Sequence, residues 1–211
     1  MKEKVNFLNY TMKNKTINIK RALISCWDKS GLLDIVRKLR AAGVEIISSG
    51  GTADYLLENK IPVTRVEEIT HFQEILDGRV KTLHPIIHGA ILAKRTPDHL
   101  QQLKDLHVEP FDLVLVNLYP FIQTVGETHT HSEMIELIDI GGSAMLRAAA
   151  KNYEQVVVLY HPDQYRSFLD LWKKNKHLIP VSESMKYAKE VFFHTAYYDS
   201  QILSLDSKWI K

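Results

Sequence analysis

The chain has 211 residues, 45% of them hydrophobic and 25% charged, with a net charge of +2. That is enough chain for one domain with a sizeable core, and it excludes a global basic field for nucleic acid or an anionic membrane surface. No apolar run approaches the ~20 residues that span a bilayer, no signal peptide is legible, and the single Cys26 fits a reducing, cytoplasmic setting.

Residues 1–20, rich in lysine and asparagine, read as a flexible lead-in, and Met12 is an alternative start. Arg21–Ser25 reads as a buried strand. Ser30–Ala42 is helical, with apolar positions at Leu32, Leu33, Val36 and Leu39 and a stop at Gly43. Val44–Ser48 is a second strand. Gly50-Gly51 turn the chain, and Thr52 opens a helix to about Asn59. Pro62–Val66 is a short third strand. A helical piece over Glu67–Leu76, a basic loop and a segment at His88–Ala93 follow. Thr96 caps the next helix, with Pro97 in its first position. Phe111–Asn117 is the most apolar strand, leaving through Tyr119-Pro120. A helix from about Ser132 runs to Ile138-Asp-Ile-Gly-Gly142. Ala144–Lys151 is helical, Gln155–Tyr160 is a strand, and Pro162–Lys174 and Glu183–Leu205 are closing helices.

Strands that are near-continuous Val/Ile/Leu runs, alternating with helices, indicate a mainly parallel sheet covered on both faces. The fold class is α/β, a single three-layer domain over residues 21–211. Ligands of such sheets sit beyond the carboxyl ends of the strands. The polar segments Ser25–Lys29, Ser48–Thr52 and Asn117–Pro120 all fall at such ends.

The densest chemistry lies in Asp77-Gly-Arg-Val-Lys-Thr-Leu-His-Pro85. If that stretch is extended, Arg79 and Lys81 share one side and present a fork and a point charge to an anion. Ser48-Ser-Gly-Gly-Thr52 joins a strand to a helix N-terminus, where free amides and the helix dipole suit phosphate; a tight turn with a capping threonine is the equal alternative. Lys29 would add a second cation. Tyr119 reads as a packing residue or a hydroxyl for the site. Asp139 reads as a partly buried carboxylate needing a partner or as a helix cap. Lys151 reads as a charge at a helix C-terminus or as an acid or base. The pairs His84/His88 and His129/His131 lack a third ligand nearby, so no metal is expected.

In this order, Ser25-x-x-Asp-Lys-Ser-Gly31, Ser49-Gly-Gly-Thr52, Asp77–Pro85, Asn117-Leu-Tyr-Pro-Phe121, Ile138–Gly142, Leu146-Arg-Ala-Ala-Ala-Lys-Asn152 and Phe193-His-Thr-Ala-x-Tyr-Asp199 resemble the IMP cyclohydrolase domain. That domain is the N-terminal half of the bifunctional AICAR transformylase/IMP cyclohydrolase. The resemblance runs from about Arg21 to Leu205. It implies a methylglyoxal-synthase-like fold and the dehydrative ring closure of 5-formamidoimidazole-4-carboxamide ribotide (FAICAR) to IMP, the last step of de novo purine synthesis. It implies no cofactor and no metal, a nucleotide substrate, no nucleic acid or membrane partner, a homodimer, and a transformylase domain that is separate or removed.

The catalytic positions it implies are Lys81, Tyr119, Asp139 and Lys151. Its substrate- and phosphate-binding positions are Ser25, Asp28, Lys29, Ser49, Gly50, Gly51, Thr52, Arg79, Lys81, Thr82, Asn117, Ile138, Asp139 and Gly141. One position departs: the family usually has a small residue where Trp27 stands, so the indole would stack on a ligand, cap the site or crowd it. The competing readings are a phosphate lyase of the methylglyoxal synthase kind and a non-catalytic nucleotide-binding or regulatory domain of the same fold.

Overall fold

Alternation of side chains along the strands builds two cores, one on each face of a central sheet. In the strand Arg21–Cys26 (β2), Leu23 points to one core and Ala22 and Ile24 to the other. In Leu113–Asn117 (β5), Val114 and Val116 join the first core, and Leu113 and Leu115 the second. Because both faces are buried, each strand reads as an unbroken apolar run. The computed structural model describes residues 15–120 and 131–209.

Glu45–Ser48 (β3), Thr64–Arg65 (β4) and Val157–Leu159 (β6) complete the sheet. Its order is β4-β3-β2-β5-β6, and every pairing is parallel. Helices α1 (Leu32–Ala41), α2 (Gly50–Glu58) and α8 (Gln164–Lys174) cover one face. The other face carries α3 (Val66–Thr70), α4 (Pro85–Leu92), α5 (Pro97–Asp105), α7 (Ile140–Lys151) and most of α9 (Val181–Trp209). α6 (His131–Glu136) leads into α7. This is the three-layer α/β fold expected from the sequence.

The chain winds outward from β2 through β3 to β4, then returns to lay β5 on the other side of β2. The direction of winding therefore reverses between β2 and β5, where an open parallel sheet leaves a crevice at the strands' carboxyl ends. Cys26 and Asn117 are register partners there, so the loops leaving the two strands start side by side.

Several expected boundaries move. The lead-in expected over residues 1–20 gives way to a strand at Thr16–Asn18 (β1), antiparallel to Leu178–Pro180 (β7), with Ile17 and Ile19 buried. Residues 1–14, the alternative start at Met12 included, lie outside the described residues, as do Phe121 and His129. The helical piece expected over Glu67–Leu76 stops at Thr70, where His71 turns left-handed. α4 starts at Pro85, before the expected His88, because proline is preorganised for a first turn and the His84 imidazole accepts the Ile86 amide. Among the described residues no helix is long and apolar enough to cross a membrane.

Candidate active site

A cleft of about 920 Å³ opens at the β2/β5 crevice. It is lined by the ends of β2 and β5, the start of α2 after β3, the loop at 76–83, α6 and the start of α7. Of the residues expected at the site, Ser25, Lys29, Ser49, Gly51, Thr52, Arg79, Lys81, Thr82, Asn117, Tyr119, Ile138, Asp139 and Gly141 line it.

One end of the cleft is an N-terminal helix turn. Helix α2 starts at Gly50, two residues before the expected Thr52, and the Ser49 side chain makes no capping bond. Among the described residues no protein acceptor takes the amides of Gly50, Gly51 and Thr52. Free amides at a helix start attract anions. The Lys81 ammonium lies against this turn: a Cβ at Gly50 would stand 3.1 Å from Lys81 Nζ. Gly50 itself has φ 49°, a left-handed conformation that glycine adopts without strain. Lys29 also lines the cleft, its Nζ held near the Trp27 carbonyl at 3.4 Å and over the Tyr55 ring at 5.7 Å.

The basic loop is not extended. Ile75 and Val80 pair as an antiparallel bridge, and Leu76, Asp77 and Gly78 all have positive φ, which folds the chain into a tight turn. Arg79 and Lys81 still reach the same cleft. Arg79 is engaged: its guanidinium makes a two-pronged pair with the Glu136 carboxylate on α6, one bond at 3.0 Å. The pair raises the arginine and lowers the carboxylate from their ordinary values. Glu136 drew no attention in the sequence, because a lone acid on a short helix carries no motif.

The other end of the cleft is the start of α7. Asp139 is its N-cap, and its carboxylate accepts from the Gly142 amide at 2.7 Å. Both sequence readings of Asp139 therefore hold in geometry: it is a cap, and it is partly buried. Burial raises its pKa above the ordinary value, opposed by the Gly142 bond and the charge of Lys81. The Tyr198 hydroxyl of α9 accepts from the Asp139 amide at 2.9 Å and donates to the Leu137 carbonyl at 3.4 Å. Tyr198 belongs to the 193–199 motif, but nothing local in the sequence links it to Asp139. Gly141 and Gly142 have no room for a side chain: a Cβ at 141 would lie 2.8 Å from Thr82 Oγ1.

Four expected site residues take other roles. The Asn117 amide is spent on the Asp28 backbone, accepting from its N–H at 2.9 Å and donating to its C=O at 2.8 Å. The Thr52 hydroxyl accepts from the Cys26 amide and donates to its carbonyl, both at 2.9 Å. These two side chains fasten the loop after β2 rather than offering groups to a ligand. Asp28 is not in the lining; its carboxylate accepts from the Ser30 amide at 2.8 Å, a turn contact. Lys151 is the last residue of α7 and is exposed. The twelve residues of that helix rise about 18 Å, so the helix that presents Asp139 to the cleft carries Lys151 away from it.

Trp27 stands at the rim, 51% exposed and lining the cleft. Its ring meets Tyr119 edge to face, with centroids 4.9 Å apart. Among the described residues no group of three metal-ligating side chains stands together.

Comparison with known proteins adds independent findings. A family model described as MGS-like domain matches residues 31–144, and one described as AICARFT/IMPCHase bienzyme matches residues 149–208. A bifunctional purine biosynthesis protein PurH from Acetivibrio thermocellus is 49% identical over 186 residues, 87% of this chain and 36% of that protein. PurH from Mycobacterium ulcerans is 50% identical over 187 residues, 88% of this chain and 35% of that protein. The chain thus spans about a third of the length of these relatives. The crystal structure of ForH superposes with a TM-score of 0.77 at 29% identity, covering 89% of this chain and 97% of that one.

Proposed function

We propose that this chain, which belongs to the MGS-like domain family and aligns with the IMP cyclohydrolase region of the PurH proteins, acts in purine biosynthesis by closing the ring of FAICAR to IMP. In that reaction the carboxamide nitrogen bonds to the formyl carbon and gives up one proton, the formamide nitrogen gives up a second as it forms the ring C=N bond, and the formyl C–O bond breaks as the oxygen leaves with both protons as water. The observation that carries the reading is one cleft with two unlike ends. The free amides at the start of α2, beside Lys81, suit a phosphate. The desolvated Asp139 carboxyl suits proton transfer.

The amide nitrogen is a weak nucleophile, so most of the acceleration comes from folding the substrate until nitrogen and formyl carbon meet. Phosphate held at Gly50 and Gly51 anchors one end. Asp139 takes up the carboxamide proton, and the Tyr119 hydroxyl orients that group. Lys81, placed between the phosphate turn and Asp139, supplies positive charge to the formyl oxygen as it becomes anionic. Lys151 does not line this cleft within one chain. By family likeness the protein works as a cytoplasmic homodimer whose substrate comes from a formyl-transferring partner activity.

A second reading has one observation in its favour. With Lys151 outside the cleft, the acid/base set is smaller than the family resemblance implies, as in a nucleotide-binding regulatory domain. Binding of IMP measured beside turnover of FAICAR separates the two: binding with turnover supports the enzyme, and binding without it supports the regulatory domain.

A further inference from the structure

We propose that Trp27 is a specificity-determining residue that contacts the base: its indole and the Tyr119 ring form an aromatic wall for the planar heteroaromatic ring of a nucleoside monophosphate. The inference rests on the nucleotide reading above and deepens it by assigning the base end of the cleft.

Trp27 leaves β2 in a loop that is otherwise tied down. Asn117 clamps the backbone of the next residue through both its amide groups, so the loop that carries the indole is fixed. The ring is held from the side by Tyr119, 4.9 Å away with an interplanar angle of 71°. An edge contact of this kind uses the rim of one ring and leaves other ring surface open, and half of Trp27 remains exposed. Large apolar residues with this much exposure mark binding surfaces when they gather around a cavity. Here Leu76, Ile135 and Ile140 are also exposed and also line the cleft.

The chemistry sorts the two ends. Ring faces are electronegative and repel phosphate, but stack well on the flat faces of bases. The anion-seeking groups are the amides of α2 and Lys81, with Lys29 on the Trp27 loop itself, and the aromatic wall stands beside them as a flat apolar surface. A nucleoside monophosphate is a ligand with the same two ends. The Tyr119 contact adds a second effect, since Trp27 restricts the ring that bears the Tyr119 hydroxyl.

The test uses the full chain and two probes, inosine 5′-monophosphate and ribose 5-phosphate, the second lacking a base. Intrinsic fluorescence and binding are compared for wild type, Trp27→Phe and Trp27→Ser. The chain has three tryptophans, so Trp27→Phe isolates the signal of position 27. The monophosphate is expected to quench wild type and to lose that quench in Trp27→Phe. Trp27→Ser is expected to weaken the monophosphate about 10-fold, with Trp27→Phe within about 3-fold of wild type and the sugar phosphate unchanged in both. Unaltered monophosphate affinity in Trp27→Ser overturns the inference and leaves the nucleotide reading standing. Equal weakening of both probes also overturns it, because the effect then acts through the phosphate end or the fold. Failure of wild type to bind either probe overturns the nucleotide reading and this inference together.

Discussion

The Tyr198 hydroxyl takes the Asp139 amide hydrogen at 2.9 Å, joining residues 59 positions apart in the chain. One buried phenol on α9 thereby fixes the turn that delivers the carboxylate to the cleft. Removing it should loosen that turn without touching the ligand. Tyr198→Phe is expected to lower kcat for ring closure about 10-fold, with KM within about 2-fold, alongside a stability loss of about 1–2 kcal/mol. Steady-state kinetics with thermal unfolding check this. A loss of stability with unchanged kcat would mean that the bond is structural only.

Asp139 sets a pH dependence whose sign follows from its burial. Its carboxyl titrates above the ordinary aspartate value of 3.8 in the folded chain, so the fold favours the protonated form. The stability linked to this group is full below the ordinary value and is lost as pH rises through the raised one. Asparagine removes the charge and remains a good N-cap. Asp139→Asn is expected to be more stable than wild type at pH 7, with the gap closing as the pH falls to about 4, and to lose ring closure by about 100-fold or more. Unfolding midpoints across pH, with turnover at pH 7, check both parts.

Gly142 is the amide donor to that carboxylate, and it has no room for a side chain. An added Cβ would stand 2.7 Å from Leu118 Cδ2 and 2.8 Å from the Asp139 carboxyl carbon. Gly142→Ala is expected to cost about 1–3 kcal/mol from overpacking and to abolish turnover by displacing Asp139. Denaturant unfolding and the ring-closure assay read the two effects separately.

Arg79 faces a competitor. Glu136 occupies its guanidinium across the cleft mouth, so an incoming anion must displace a carboxylate. The pair is exposed, and water and salt screen it, so the effect is modest. Glu136→Gln is expected to tighten inosine 5′-monophosphate binding a few-fold at low salt, with the gain vanishing at high salt. Titrations at two ionic strengths check this; weaker binding in the variant would show that Glu136 itself holds the ligand.

Local pattern carried the architecture a long way. Apolar runs marked β2, β3, β5 and β6 because each strand is buried on both faces, and the polar segments at their ends collected at the crevice as an open parallel sheet requires. β1 and β7 were not legible, since Thr-Ile-Asn and Leu-Ile-Pro lack the apolar run that marks β6 and form only by pairing across the chain. The site was readable by position and less so by role. Thr52 and Asn117 stand where expected, but backbone groups take their side chains, and which partner a polar group finds is decided by tertiary contact. Lys151 shares a helix with Asp139, but helical rise places the two at opposite ends. Glu136 and Tyr198 reach the site through long-range contacts that no local pattern encodes.

The measurement that bears most directly on the account is conversion of FAICAR to IMP by the purified chain, followed by ultraviolet absorbance, with Lys81→Ala run alongside. The account expects sustained turnover by wild type without added folate or metal, and loss of about 100-fold or more in the variant. Absence of turnover in a wild-type chain that binds IMP, or full activity in Lys81→Ala, would contradict it.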